Sequence, residues 1–110
     1  MKKMVDRFMR IMVFFDLPVT TKKDRKAYAN FRKFLIKDVF IMIQYSVYSR
    51  TVRNHDDVEK HCRIIEQNTP PKGAVRVLTV TERQYASMKL LAGERLKSEN
   101  LLDKKDIIEL

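Results

Sequence analysis

Ile11-Met12-Val13-Phe14-Phe15-Asp16-Leu17-Pro18 decides how the rest of the chain is read. An apolar run of this length, dense in Val, Ile and Phe, reads as a buried strand. Pro18 has no amide proton to give a sheet, so the strand stops near it. Asp16 then stands at the strand's C-terminal end, where loops open and ligands tend to bind. Widening the window to residues 8–17 exposes a period of two. Met9, Ile11, Val13 and Phe15 are all apolar, whereas Phe8, Arg10, Met12, Phe14 and Asp16 form a mixed face. Side chains alternate across a strand, so the first set packs under helices and the second stays on an open sheet face. A face of that mixed character suggests a protein–protein contact.

The 110 residues fit one domain, and 45% hydrophobic content is enough for one core. Two glycines and three prolines argue against disorder. One cysteine, Cys62, excludes a disulfide framework and a cysteine zinc cluster, and fits a reducing, cytoplasmic setting. No apolar run reaches membrane-spanning length and the N-terminus lacks a secretory h-region, so a soluble protein is expected. The net charge is +9, and all of the excess lies in two segments beside the Asp16 strand. Lys2, Lys3, Arg7 and Arg10 face only Asp6; Lys22, Lys23, Arg25, Lys26, Arg32, Lys33 and Lys37 face only Asp24. A polyanion, nucleic acid being the commonest, is the matching partner; a solvated helix face is the other reading of the same charges.

Thr20 or Thr21 can cap a helix with Asp24 in its first turn. Ala27, Phe31, Phe34 and Leu35 then follow helical spacing and Tyr28 widens the stripe. These aromatics read as core, with base stacking as the other reading. Val39 to Arg53 is rich in β-formers and too long for one strand, so it divides into two antiparallel strands with a bend near Gln44–Val47, although no glycine marks the turn. Asn54 caps a second helix whose inner stripe is Val58, Cys62 and Ile65, with Ile64 or His61 beside it. His55 and His61 read as surface or satisfied side chains, and Cys62 as inert. Asn68-Thr69-Pro70-Pro71-Lys72-Gly73 breaks the chain before a strand from Ala74 to Val80. Thr81-Glu82-Arg83-Gln84 has the form of a capping box opening a short helix through Tyr85, Met88 and Leu91, with Gly93 to end it. Residues 1–93 thus form the domain and 94–110 a C-terminal extension, whose Ile107-Ile108-Glu109-Leu110 can add as an edge strand to this sheet or to a partner's. The order is β-α-β-β-α-β, a ferredoxin-like α+β sandwich with two helices on one face of an antiparallel sheet, plus a short third helix.

An RNA-recognition sheet needs an aromatic-glycine segment on a central strand, and no strand here contains glycine. Phosphate-cradling glycine loops, HExxH, CxxC and a nucleophile elbow are all missing from the sequence. What remains is carboxylate, metal and basic side chains. One aspartate is a thin site for Mg²⁺, which usually takes one or two carboxylates and keeps several waters. A two-fold dimer pairing the open faces would bring two copies of Asp16 together, to hold a Mg²⁺ that polarises a phosphodiester and activates water. The plainer alternative, that Asp16 merely ends the strand and caps its loop, stays open.

The strand Met12-Val13-Phe14-Phe15-Asp16-Leu17-Pro18, the helix Arg25-Lys26-Ala27-Tyr28 to Phe31-Arg32-Lys33-Phe34-Leu35, and Phe40-Ile41-Met42 with Gln44-Tyr45-Ser46-Val47-Tyr48 resemble the Cas-two family of CRISPR-associated proteins. Leu78-Thr79-Val80-Thr81-Glu82-Arg83-Gln84 resembles its branch found beside Cas-nine effectors, type II-A. The likeness runs from about Arg10 to Gly93. It implies a ferredoxin-like homodimer, often with C-terminal strands exchanged, seated between Cas-one integrase dimers and holding prespacer DNA during spacer acquisition. It also implies a Mg²⁺-dependent endonuclease acting on RNA or DNA, with Asp16 matching the metal site; Arg25, Arg32 and Phe40 fall near positions with supporting roles. The expected function is a bridge that binds double-stranded DNA and the integrase. Arg10, Lys22, Lys23, Arg25, Lys26, Arg32 and Lys33 are the expected phosphate contacts, and Mg²⁺-dependent cleavage at Asp16 is the alternative.

Overall fold

The computed structural model describes residues 8–93. The elements run β1 (Met9–Asp16), α1 (Lys22–Lys37), β2 (Ile41–Gln44), β3 (Val47–Val52), α2 (His55–Gln67), β4 (Ala74–Thr81) and α3 (Glu82–Ala86). The four strands form one sheet in the order β2-β3-β1-β4, with every neighbouring pair antiparallel. This is the ferredoxin-like arrangement expected from the sequence. The expected extension, residues 94–110 with its terminal Ile107–Leu110 strand, lies outside the described residues.

β1 pairs on both sides, so its alternation decides what each sheet face is made of. Ile11, Val13 and Phe15 are buried with Phe31 and Leu35 of α1, Ile65 of α2 and Tyr48 of β3. Phe15 lies at the centre of a ring cluster, 5.2 Å from Phe31, 5.7 Å from Tyr48 and 6.0 Å from Tyr28 between centroids. The aromatic stripe of α1 is therefore largely core, as its spacing indicates.

Each helix starts where a polar side chain can take its first free amides. Thr21 Oγ1 accepts from the Asp24 amide at 3.0 Å, and Asp24 Oδ2 accepts from the Thr21 amide at 3.4 Å. Asn54 Oδ1 accepts from the Asp57 amide at 2.9 Å. Thr81 and Gln84 close the expected reciprocal box at 3.0 and 2.8 Å. α1 ends in a Schellman arrangement: the Phe40 amide donates to the Leu35 carbonyl, and the Val39 amide to the Ile36 carbonyl. Val39 occupies the left-handed position, φ 67°, that usually takes glycine. Burial of Phe40 and Leu35 in the core holds it there.

The β2–β3 turn is Tyr45-Ser46, inside the expected Gln44–Val47 bend and without glycine, with Ser46 at φ 64° and its carbonyl accepting from the Phe15 amide at 3.1 Å. Two local expectations change. The buried positions of α2 are His61 and Ile65, while Cys62 is half-buried. α3 stops at Ala86 rather than running to Leu91. Ser87 ends it, its amide donating to the Arg83 carbonyl and its hydroxyl to the Gln84 carbonyl at 2.7 Å. Met88, Leu90 and Leu91 consequently leave the helical stripe and are exposed.

The second sheet face is also less open than its sequence suggests. Arg10 and Met12 are buried, whereas Phe14 is half-buried and Asp16 exposed. Residues 88–93 overlie part of this face, leaving a groove of about 290 Å³ between Met12, Phe14, Ile43 and Val47 of the sheet and Met88 and Leu90.

Candidate nucleic-acid interface and carboxylate site

α1 presents its charge because its core stripe is used up by Phe31 and Leu35. At 3.6 residues per turn, Lys22, Lys26, Lys33 and Lys37 fall within roughly 60° of arc on the opposite side. All four are exposed, as are Lys23, Arg25 and Arg32. Two of the cations are already oriented. Arg25 Nη1 donates to the carbonyls of Val19 and Thr20 at 3.3 and 2.9 Å, and Arg32 Nε donates to the Tyr48 hydroxyl at 2.8 Å. Those bonds hold the guanidinium stems beside the helix while leaving both residues in solvent.

Arg10 behaves differently from the rest of the expected phosphate-contacting set. Its Nε and Nη2 donate to Glu82 Oε1 and Oε2 at 2.8 and 2.9 Å, and its Nη1 donates to Ser49 Oγ at 3.2 Å. The Tyr85 ring lies 4.0 Å from its guanidinium carbon. At 4% exposure it faces protein on all these sides, so it binds α3 to the sheet instead of reaching a phosphate. The charge count could not reveal this, because Glu82 is 72 residues away in sequence.

Asp16 stands where the sequence places it, at the exposed last position of β1, opposite Ala74 of β4. Gly73 makes that pairing feasible. Its φ is 89°, and a Cβ there would lie 2.5 Å from the Asp16 carbonyl oxygen, so only glycine lets the two segments approach. β4 also brings cations that the sequence reading did not single out. Lys72 precedes the strand and pairs with Asp24 at 3.7 Å, and Arg76 lies opposite Phe14, both exposed. The basic residue inside Pro-Pro-Lys-Gly was the available signal for the first. Burial pushes the Asp24 carboxyl up, but hydrogen bonds from Thr21 and the Lys72 charge outweigh it and hold the group below its ordinary range.

His61 is a satisfied side chain, its Nδ1 2.8 Å from Asp38 Oδ2. Arg50 reaches the same aspartate at Oδ1, 3.4 Å, and its carbonyl, which ties the end of α1 to α2 and β3. Burial pushes the Cys62 thiol up, which disfavours the reactive thiolate. Among the described residues, no three His, Cys, Asp or Glu gather into a metal cluster. At the end of β1, Asp16 alone would offer Mg²⁺ a single carboxylate, the lower end of what that ion takes alongside its waters. Among the described residues no helix is long and apolar enough to cross a membrane.

The chain is thus a ferredoxin-like α+β domain with Asp16 exposed at the end of β1 and a row of exposed cations on α1. Residues 9–88 match the family described as CRISPR associated protein Cas2. The chain is 55% identical over 91 residues to a CRISPR-associated endoribonuclease Cas2 of Acidovorax ebreus, covering 83% of this chain and 89% of that one. A protein of the same name from Treponema denticola is 55% identical over 86 residues, 78% of this chain and 85% of its own. A third, from Streptococcus mutans, is 46% identical over 87 residues, 79% and 80% of the two chains. The chain belongs to the Cas2 family, and its role is CRISPR-associated.

Proposed function

We propose that this protein acts in CRISPR spacer acquisition as a dimeric bridge that binds double-stranded DNA and the Cas-one integrase. The observation that carries this reading is the exposed lysine stripe of α1. Lysines held on one face of a rigid helix contact phosphates without reading base sequence. Half-buried Phe14, which lines the 290 Å³ groove, and exposed Leu78, paired with Met12 in the sheet, supply apolar surface for a second copy.

The test is duplex binding, followed by anisotropy across a range of salt. Replacing Lys22, Lys26 and Lys33 with alanine keeps a strong helix former at each position. The slope of log affinity against log salt is expected to flatten by about 3, since each neutralised phosphate contributes about 0.9. The loss is expected on unrelated duplexes alike. An unchanged slope would overturn the reading.

A second reading, a Mg²⁺-dependent endonuclease acting on RNA or DNA, is favoured by exposed Asp16 and by the endoribonuclease name of the relatives. Asp16 of two copies would hold the ion, which supplies a polarised phosphodiester and an activated water. Asp16→Asn is expected to abolish Mg²⁺-dependent cleavage and to leave duplex binding intact. Spacer integration by the Asp16→Asn protein separates the readings: it persists if the role is bridging and stops if cleavage is required.

A further inference from the structure

Tyr45 is an unusual residue for the first position of a two-residue hairpin turn, where Asn or Gly is favoured. It is 75% exposed, yet its ring is held in place. It stacks on Tyr28 with centroids 6.4 Å apart and planes inclined by 27°. Tyr28 in turn meets Phe15 edge-on at 6.0 Å, and Phe15 stacks on buried Tyr48 at 5.7 Å. A continuous series of rings therefore runs from the core to solvent and ends on an uncovered ring. The turn itself is anchored to β1 by the bond from the Phe15 amide to the Ser46 carbonyl, one residue before Asp16.

The charges around this shelf indicate what it takes. Arg25 and Arg32 lie three residues before and four after Tyr28, so they share its edge of α1. Both are exposed, with Nη1 of Arg25 and Nε of Arg32 occupied by the bonds that orient them. The hydrogen bond with Tyr28 pushes the Tyr45 phenol up, so the ring stays neutral beside an anion. A flat neutral ring stacked on a tyrosine whose helix edge carries two guanidiniums matches a nucleotide whose base is unstacked and whose two phosphates are free to be contacted. A base inside a duplex has no open face to offer.

We propose that Tyr45, supported by Tyr28, whose edge of α1 carries Arg25 and Arg32, is a stacking subsite for an unpaired nucleotide of the bound nucleic acid. The subsite makes the protein discriminate single-stranded or frayed ends from fully paired duplex. The inference rests on the nucleic-acid reading above and extends it to the form of the substrate.

The chain contains no tryptophan, so Tyr45→Trp places a single reporter on the shelf. Its emission is expected to quench on adding an oligothymidine strand and to stay unchanged with a blunt duplex. Tyr45→Ala is expected to weaken oligothymidine binding by about 5- to 150-fold, the range one base–aromatic stack supplies, and to leave blunt-duplex affinity as in the parent protein. Tyr45→Phe keeps the ring and is expected to keep the affinity. If Tyr45→Ala loses nothing, or loses both ligands equally, the subsite is overturned while the nucleic-acid reading stands. A parent protein that binds neither ligand overturns both. If Tyr45→Ala instead shifts the sedimentation coefficient and spares oligothymidine binding, the ring is a protein contact and the subsite is again overturned.

Discussion

Glu82→Ala is expected to destabilise the protein by about 3–5 kcal/mol, the cost of leaving one partner of a buried ion pair uncompensated. Arg10 would keep its charge at a position 4% exposed, facing Ser49 and the Tyr85 ring. Domains of this size are stable by only about 5–15 kcal/mol, so the loss is a large share of the total. Urea unfolding, read by circular dichroism, measures it. The paired replacement Arg10→Met with Glu82→Leu removes both charges at once and is expected to recover most of the loss. A Glu82→Ala protein as stable as its parent would mean that α3 is not held by this pair.

Phe15→Ala is expected to cost about 3–5 kcal/mol as well, through lost burial and the cavity left behind. The residue is 6% exposed and meets three aromatic rings. Its neighbour Phe14 has the same chemistry but lies half-buried on the other face. Phe14→Ala should therefore cost clearly less, on the order of 1 kcal/mol. Equal losses at the two positions would contradict the assignment of faces. Phe15→Ala should also loosen Tyr28, which leans on the ring being removed, so single-strand binding should fall with it. Loss of stability and loss of strand discrimination are coupled at this residue, because it lies in the core and supports Tyr28 of the shelf.

The fold was legible in the chain because its signals are local. Alternation across Met9 to Phe15 separates the two faces of β1, and Thr21, Asn54 and the Thr81–Gln84 pair mark helix starts from residues no more than three apart. The concentration of positive charge beside the Asp16 strand, the position of Asp16 at its end and the likeness to Cas-two proteins were equally readable. Tertiary structure decided the rest. It paired Arg10 with Glu82 and so removed one cation from the expected nucleic-acid contacts. It set Gly73 against the Asp16 carbonyl, stacked Tyr45 on Tyr28, and closed a turn without glycine by bonding it to β1. Caps and alternation depend on neighbours along the backbone, so sequence alone determines them. A buried ion pair or an exposed stack depends on which distant segments the sheet register brings together, and that is settled only when the whole core packs.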